Sequence, residues 1–509
     1  MFVRKKKNSS GSISVQILRK KKGRNLLVET VGCSNDEHEI EKLEYKAKNR
    51  IEELQPQKRL DLLTSKEEEV VFDYLQKSQA PRVRMVGPER TLGKIFDKIG
   101  FGGIDEELFR HIVLSRLTYP VSKLKTLEYL LYSQEVSYEI SQVYRFLDRF
   151  HKKHKEDVKR IAYEHTKKIL KNITIVFYDM TTLYFEAEDE DDLRKIGFSK
   201  DGKFQKPQIM LGLLVGENGY PIGYDIFGGN TFEGHTLIPI IEQVQKKYGF
   251  PKPIVIADSG LLSKKNLENL SQQKYDFILG ARIRNESDKI KEEILQKTEG
   301  LENGESVTLS KSDGTKLIVS YSDKRKKKDE YNREKGLRRL KERVKSGKLT
   351  KEQINNRGYN KFLTLENEVN VCLDETKVAH DSKWDGLKGY ATNADLSSEE
   401  VINNYKHLWQ IEKAFRISKT DLRIRPIFHR KKDRIEAHIC IAFVAYSIYK
   451  ELERLLKENK LDFSPAKAIW LSKTIYELEF TLPESHKTHA VLANISSDQE
   501  ALLKIFEIG

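Results

Sequence analysis

ITIVFYD, residues 173–179, is an apolar run closed by an acid, and it marks a change of periodicity in the chain. A strand buried on both faces of a sheet has this character. An acid directly after such a strand sits at the carboxyl edge of the sheet, where open α/β sheets keep their ligands. Before it, over residues 60–170, the spacing is helical, as in LEYLLYS (127–133) and VYRFLDRF (143–150). After it, QIMLGLLV (208–215) and YPIGYDIF (220–227) flank a Gly-Glu-Asn-Gly turn, which predicts an antiparallel hairpin.

Further along, residues 234–248 are helical in pattern, PIVIAD (253–258) is a second buried strand, KKNLENL (264–270) starts a helix, and YDFILG (275–280) is a fifth strand. A three-strand meander followed by alternating helix and strand is the order of an α/β, ribonuclease-H-like core. Residues 300–373 interrupt it. ESVTLS, LIVSYS and VNVCLD are β-like, whereas KRKKKDEYNREKGLRRLKERVKSG (324–347) is a basic helix with little apolar stripe. An inserted sheet with a charged arm fits this better than a continuation of the core. WDGLKGYATNAD (384–395) returns to the core. Ser397 with Glu400 is a capping box, opening a helix that is expected to run through Glu412 to about Lys419. A second long helix is expected over 432–457.

At the start, SISVQIL and NLLVETV pair as a hairpin around RKKKG within residues 11–32, and 36–53 read as a charged helix. The expected organisation is therefore a β-hairpin plus helix (1–60), a helical DNA-binding domain (61–170) and a first part of the catalytic core (171–282). A β-rich insertion with a basic helical arm (283–383), the second part of the core carrying Glu412 (384–457) and a helical tail (458–509) complete it.

Charge points to a polyanion. The 509 residues carry 91 Lys and Arg against 77 Asp and Glu, a formal net charge of +14. The excess is concentrated. Residues 1–30 hold nine Lys and Arg against one acid, 321–360 hold fifteen against six, and 413–434 hold nine against two. Three separated basic blocks suit a nucleic-acid footprint. Several other classes are excluded. There is no phosphate-binding G-x-x-x-x-G-K-[ST] loop, no G-x-G-x-x-G after a strand and no H-E-x-x-H, so no nucleotide cofactor is expected. Cys33, Cys372 and Cys440 are far apart and form no zinc or disulfide framework. The longest apolar run, Ile439 to Tyr449, is too short to span a bilayer. MFVRKKKNSSGS has no apolar stretch behind its basic start, so no secretory signal is expected. A cytoplasmic, nucleoid-associated protein without membrane contact is the expectation.

The chemistry is expected from acids at strand ends. Asp179 precedes Met-Thr-Thr, and Asp258 follows PIVIA and precedes Ser-Gly. Two such carboxylates on neighbouring strands repel unless a cation joins them, and hard oxygen ligands favour Mg²⁺, with Mn²⁺ substituting. Glu412 is the third acid. Tyr405, Glu412 and Lys419 are spaced seven and seven, so on one continuous helix they share a side, with Arg416 on a similar face.

The segment YKHLWQIEKAFRISK (405–419) resembles the Tyr–Arg–Glu–Lys signature of bacterial insertion-sequence transposases of the DDE superfamily, the IS4-like group. Tyr405, Glu412 and Lys419 fall in register, while position 408 is Leu where the signature has Arg. YDMTT at Asp179 and ADSG at Asp258 look like the family's first two catalytic acids, and the resemblance spans roughly residues 170–450. It implies a DNA transposase that cuts element ends and joins them to target DNA through two divalent ions held by Asp179, Asp258 and Glu412. It also implies Tyr405, Arg416 and Lys419 on the DNA backbone. Lys324, Arg325, Lys326, Lys327 and Lys328 supply a further basic surface, and Trp384 is a candidate for stacking an unpaired base. The expected partners are double-stranded DNA, as terminal inverted repeats and target, and a second copy of the chain on that DNA. Two alternatives stay open: a metal-dependent nuclease without strand transfer, and a captured, non-catalytic DNA-binding protein.

Overall fold

The computed structural model describes residues 1–21, 23–54, 70–71, 74, 82–249, 252–261, 264–346, 349, 352, 354–355, 357–366, 370–482 and 485–507. The first stretch of the expected helical region, 61–81, lies almost wholly outside the described residues. The chain forms two compact units, residues 1–82 with 479–490, and residues 83–478 with 491–509.

In the first unit, strands β1 (Phe2–Lys7), β2 (Ile13–Lys21) and β3 (Arg24–Ser34) form an antiparallel sheet, and helix α1 (Glu37–Leu54) packs on it. Val15 and Ile17 of β2 are fully buried against Ile40 and Ala47 of α1. The sequence predicts the β2–β3 hairpin and the helix. It does not predict β1, whose run of Arg and three Lys hides its alternation. β1 is held by backbone pairing and by its polar side chains: Arg4 donates to Gln16 at 2.8 Å, and Lys5 pairs with Glu44 at 2.9 Å.

The second unit begins with helices α2 (Lys94–Ile99), α3 (Glu107–Thr118), α4 (Lys123–Gln134) and α5 (Ile140–Leu170). Strands β4 (Ile175–Tyr184), β5 (Gln208–Val215) and β6 (Pro221–Gly228) follow as a meander. Then come α6 (Leu237–Tyr248), β7 (Ile254–Ala257), α7 (Lys264–Gln272) and β8 (Phe277–Ala281). β7 lies parallel to both β4 and β8. The next segment holds α8 (Asp288–Lys297), β9 (Ser306–Ser310), β10 (Lys316–Tyr321), α9 (Asp323–Lys345), β11 (Leu363–Glu366), β12 (Asn370–Leu373) and α10 (Glu375–Ser382). It leads into β13 (Leu387–Thr392).

The main sheet has eight strands in the order β9-β10-β13-β8-β7-β4-β5-β6. Residues 306–321, expected in a separate inserted sheet, thus extend the main sheet, because β13 pairs with β8 on one side and β10 on the other. Only β11 and β12 form a ribbon of their own.

Period-two alternation divides the sheet's core. Phe177, Leu183, Leu213 and Ile256 face the helical side, while Val176, Tyr178, Met180 and Val255 face α6. Burial on both faces is why β4 and β7 read as continuous apolar runs. The helical side is closed by α11 (Ser398–Lys406), α12 (Trp409–Arg416) and α13 (Lys432–Glu458). Every residue of α13 from Ile435 to Leu452 is buried, which accounts for the long apolar run of the sequence. Among the described residues, no helix is long and apolar enough to cross a membrane. The tail has α14 (Pro465–Ser472) and α15 (Ser497–Glu507), but also two strands, Tyr476–Thr481 and Thr488–Leu492, where only helix and loop are expected.

One buried acid ties α13 to α5. Glu451 is fully buried, receives two bonds from Arg454 at 2.6 and 2.9 Å, and lies 3.3 Å from His165 Nε2. Burial alone would raise its pKa; the partners outweigh that and hold it at about 2, below the ordinary 4.5. Its contribution to stability is therefore present above the ordinary carboxylate range and is lost as pH falls toward 2. Glu451→Gln is expected to cost about 3 kcal/mol in urea unfolding at neutral pH and to flatten the acid limb of the stability profile.

Candidate active site

The β4–β7 register sets the site. Tyr178 pairs with Ala257, so the next step along each parallel strand brings Asp179 beside Asp258. Alternation sends both carboxylates to the face of Phe177 and Ile256, the face that α12 covers through Ile411 and Phe415. Asp179 Oδ1 accepts from Met180 N, and Asp258 Oδ1 from Ser259 N, each at 2.7 Å. Burial pushes the Asp179 pKa up; nearby Glu233 and Asp258 act the same way, and Lys200 opposes them.

Glu412 reaches the site by a different helix geometry from the one expected. The capping box forms, with Ser397 Oγ accepting from Glu400 N at 3.3 Å and Glu400 Oε2 accepting from Ser397 N at 2.9 Å. The helix then stops at Lys406 and resumes at Trp409. Between them the bonds shorten to i→i−3: Leu408 N donates to Tyr405 O, and Ile411 N to Leu408 O. A wider π-type turn, Ile417–Asp421, follows. Tyr405, Glu412 and Lys419 therefore stand on three consecutive segments rather than along one helix side. Leu408 is 8% exposed and packs in the core.

Asp258 and Glu412 line one cavity of about 880 Å³, together with Tyr405, Lys388, Arg282 and Arg325. Tyr405 donates to Asp258 Oδ1 at 3.3 Å, its ring stands edge-on to Tyr390, and Lys388 Nζ sits 4.4 Å from its centroid. Burial and the facing Asp258 raise the Tyr405 phenol pKa, so it is a hydrogen-bond donor at neutral pH. Gly280 of β8 makes room: a Cβ there would lie 2.5 Å from the Tyr405 oxygen.

The cation seated against Asp179 is Lys200, a residue the sequence reading misses. Its Nζ lies 2.7 Å from Glu233 Oε1, 2.7 Å from Met180 O and 3.5 Å from Asp179 Oδ1. Its backbone N donates to Thr182 Oγ1 at 3.1 Å. Glu233 is also new, and its second oxygen crowds the backbone just after Asp258, 2.8 Å from where a Cβ on Gly260 would be. Among the described residues, no three His, Cys, Asp or Glu side chains are gathered tightly enough to hold an ion together. The donor set is nonetheless one of hard oxygens, and the Asp179–Glu233 cradle already accommodates a positive charge.

The family described as "Transposase DDE domain" matches residues 171–448. The chain belongs to that family. It is a DDE transposase, an enzyme of DNA transposition and recombination, and such enzymes use divalent metal ions. Among solved structures, it is similar to the piggyBac transposase in a synaptic complex with hairpin DNA, at 9% identity over 76% of each chain and a TM-score of 0.40. It is also similar to the Mos1 transposase paired-end complex with the left transposon end, at 16% identity over 46% of this chain and 71% of that one, with a TM-score of 0.16. The Mos1 mariner paired-end complex with Mn gives 16%, 46%, 72% and 0.15 for the same quantities. No curated protein matches the chain.

The remaining expected residues of the transposase lie as follows. Lys419 is 12% exposed and pairs with both oxygens of Asp201 at 3.2 Å; Arg425 joins the same carboxylate at 3.3 Å. Arg416 is exposed on the last turn of α12. Lys324, Arg325, Lys326, Lys327 and Lys328 are exposed at the start of α9, where Arg325 donates to Leu387 O at 2.9 Å. Trp384 is 4% exposed and packs with Ile283 and Leu387, whereas Trp409, three residues before Glu412, is 53% exposed.

Tyr405→Phe removes one hydrogen bond to a carboxylate, a loss of about 1.5–3 kcal/mol, and is expected to slow DNA cleavage about tenfold or more. Gly280→Ala should lower the melting temperature less in the Tyr405→Phe background than in the wild type, because the nearest clashing atom is the phenol oxygen while Ser259 N, at 3.2 Å, stays in both. A calorimetric double-mutant cycle reads this out.

Proposed function

We propose that Asp179, Asp258 and Glu412 are the acids with which this transposase cuts its element's ends and joins them to target DNA. The observation that carries the reading is a pair of approaches, with Asp258 next to Asp179 on one side and sharing a cavity with Glu412 on the other. Two parallel strand ends place Asp179 beside Asp258, and α12 turns Glu412 into the cavity that Asp258 lines. These three would hold the divalent ions, Mg²⁺ with Mn²⁺ substituting; what such ions supply is activation of a hydroxyl nucleophile and neutralisation of charge on the leaving oxygen.

The chain's own groups do the positioning. Tyr405 fixes the Asp258 carboxylate, and Lys388, Arg282 and Arg325 offer positive charge to a phosphate in the cavity. The 53% exposed Trp409 is a better stacking surface for an unpaired base than the buried Trp384. Arg416 and the α9 cations Lys324, Lys326, Lys327 and Lys328 would hold DNA backbone, and Lys419 would do so only after parting from Asp201.

The strand order β6-β5-β4-β7-β8, with β5 antiparallel to its neighbours, supports a ribonuclease-H-like core. Tyr405, Glu412 and Lys419 support membership of the IS4-like group, with Leu408 serving packing where the Tyr–Arg–Glu–Lys signature has Arg. The helical domain before β4 and the first unit are the proposed readers of terminal repeats. Two ends joined in one event require two such sites, hence a homodimer on DNA.

Asp179→Ala, Asp258→Ala and Glu412→Ala are each expected to reduce Mg²⁺-dependent cleavage of an end-bearing duplex to background while leaving gel-shift affinity within a few-fold. Near wild-type cutting by any one variant removes that residue from the set. Neutralising Lys324, Lys326, Lys327 and Lys328 together should weaken binding equally on terminal-repeat and random duplexes. It should also flatten the dependence of log affinity on log salt by up to about four phosphate contacts.

A further inference from the structure

A second cavity, of about 350 Å³, lies away from the acids, where α3, the start of α4 and α13 meet the segment 423–429. Its charged lining is wholly cationic or imidazole: Arg116, Lys123, Arg423, Arg425, His429 and His438. Arg116 is 7% exposed, and among the described residues its hydrogen bonds are long ones, 3.5 Å, to the carbonyls of Leu422 and Arg423. Among the described residues, no carboxylate forms an ion pair with Arg116, Lys123 or Arg423. The acid nearby, Asp148, is committed to Arg434 through bonds of 2.6 and 2.8 Å. His438 is 6% exposed. Its Nε2 faces Ile424 O at 2.9 Å and so carries the ring proton, leaving Nδ1 without a partner. Arg425 pairs with Asp201, yet its Nε has no partner either. Arg423 adopts φ 45°, a left-handed conformation that costs a non-glycine residue energy.

A buried cation such as Arg116 without a counter-ion is expensive, and the titratable groups around it bear the mark of the gathered positive charge. Burial, reinforced by Lys123 and Arg116, lowers the His429 pKa to about 4. Burial, with Arg116 and Lys123 again, lowers that of His438, and burial with Arg116 lowers that of Lys123. An anion in the cavity relieves every one of these at once and gives His438 Nδ1 a reason to take a proton. A halide is too small for the space, whereas a tetrahedral oxyanion matches several guanidinium and ammonium donors converging from different sides. The start of α4, a helix of 12 residues capped by Ser122, opens at the same cavity and adds its positive end.

We propose that this cavity is a phosphate-binding pocket separate from the catalytic acids, and that it receives one phosphate of a DNA strand. The volume leaves room for the attached sugar. The phosphate is either an internal diester or the 5′-terminal monoester that strand cleavage leaves. The pocket stands on its own charges; only the choice of DNA as the carrier rests on the transposase reading.

The test uses the full chain in EDTA, so that no cleavage chemistry enters. Inorganic phosphate is titrated at ionic strength held constant with chloride, and the Cε1–H signals of His429 and His438 are followed by NMR. Saturable shifts toward the protonated ring are expected. Lys123→Ala and Arg423→Asn, changes at half-buried and exposed positions of which the second suits a left-handed backbone, should weaken phosphate binding about tenfold with unchanged melting temperature. Short random duplexes should displace the phosphate. Equal displacement by 5′-hydroxyl and 5′-phosphate duplexes assigns an internal diester, and displacement by the 5′-phosphate duplex alone assigns the terminal group. No shift beyond that of chloride, or unchanged binding in both variants, overturns the pocket. Phosphate binding that no duplex displaces overturns the DNA assignment while leaving the cleavage reading untouched.

Discussion

Two carboxylates at the ends of adjacent parallel strands repel each other, and much of the catalytic unit is arranged around that repulsion. The strands β4 and β7 cannot slip to separate them. A one-residue shift would turn Phe177 and Ile256 out of the helical face and Val176 and Val255 out of the other, and both faces are buried. The apolar register thus forces Asp179 and Asp258 together; burial pushes the Asp179 pKa up, and Glu233 and Asp258 add to it. Tyr405 answers Asp258 with a neutral donor, and Lys200 answers Asp179 with a charge.

Lys200 and Asp201 are consecutive, and they act on opposite sides of the site. The ammonium of Lys200 sits between Asp179 and Glu233, while the carboxylate of Asp201 sits on Lys419 and Arg425. Backbone bonds hold this pair in place: Lys200 N to Thr182 Oγ1 at 3.1 Å, and Asp201 N to Ser199 Oγ at 3.3 Å. A single dipeptide therefore answers an acidic pair and a basic pair at once.

What the sequence made legible follows the range of each signal. Strands β4, β5, β6, β7 and β8 and helices α9 and α13 were readable because their periodicities are local and strong. Asp179, Asp258 and Glu412 stand out as candidates because an acid after an apolar strand, or inside a capped amphipathic segment, breaks a pattern. β1 was not, since four successive cations carry no alternation. The break at residues 407–408 was not, because it is made by three-residue hydrogen bonds that no Gly or Pro announces. Lys200 and Glu233 were invisible for a different reason. They lie in loops, and only the meander's closure carries them to the strand ends. The junction of β10 with β13 likewise depends on pairing across 66 residues of chain.

Net charge counted along a sequence differs from charge available to a polyanion, and the basic blocks differ in this respect. In 413–434, Lys413 is paired with Glu453, Lys419 and Arg425 with Asp201, and Arg434 with Asp148. Four of the nine cations of that block are thus internal wiring: Lys413 ties the helix bearing Glu412 to α13, Lys419 and Arg425 tie the segment after it to the 199–203 loop, and Arg434 ties α13 to α5. At the start of α9 the cations are exposed; Arg325 is engaged with Leu387 O and Asp329, and Lys326 with the Tyr321 side chain. That helix is held at its far side instead, by Arg333 on the buried Asp385 at 2.5 Å and by Gly336, whose missing Cβ admits the Tyr359 ring. Anchoring from one side leaves the other side's charge unspent. Lys and Arg thus do different work in the two places: they stiffen the structure where carboxylates answer them, and they leave positive charge at the surface where few do.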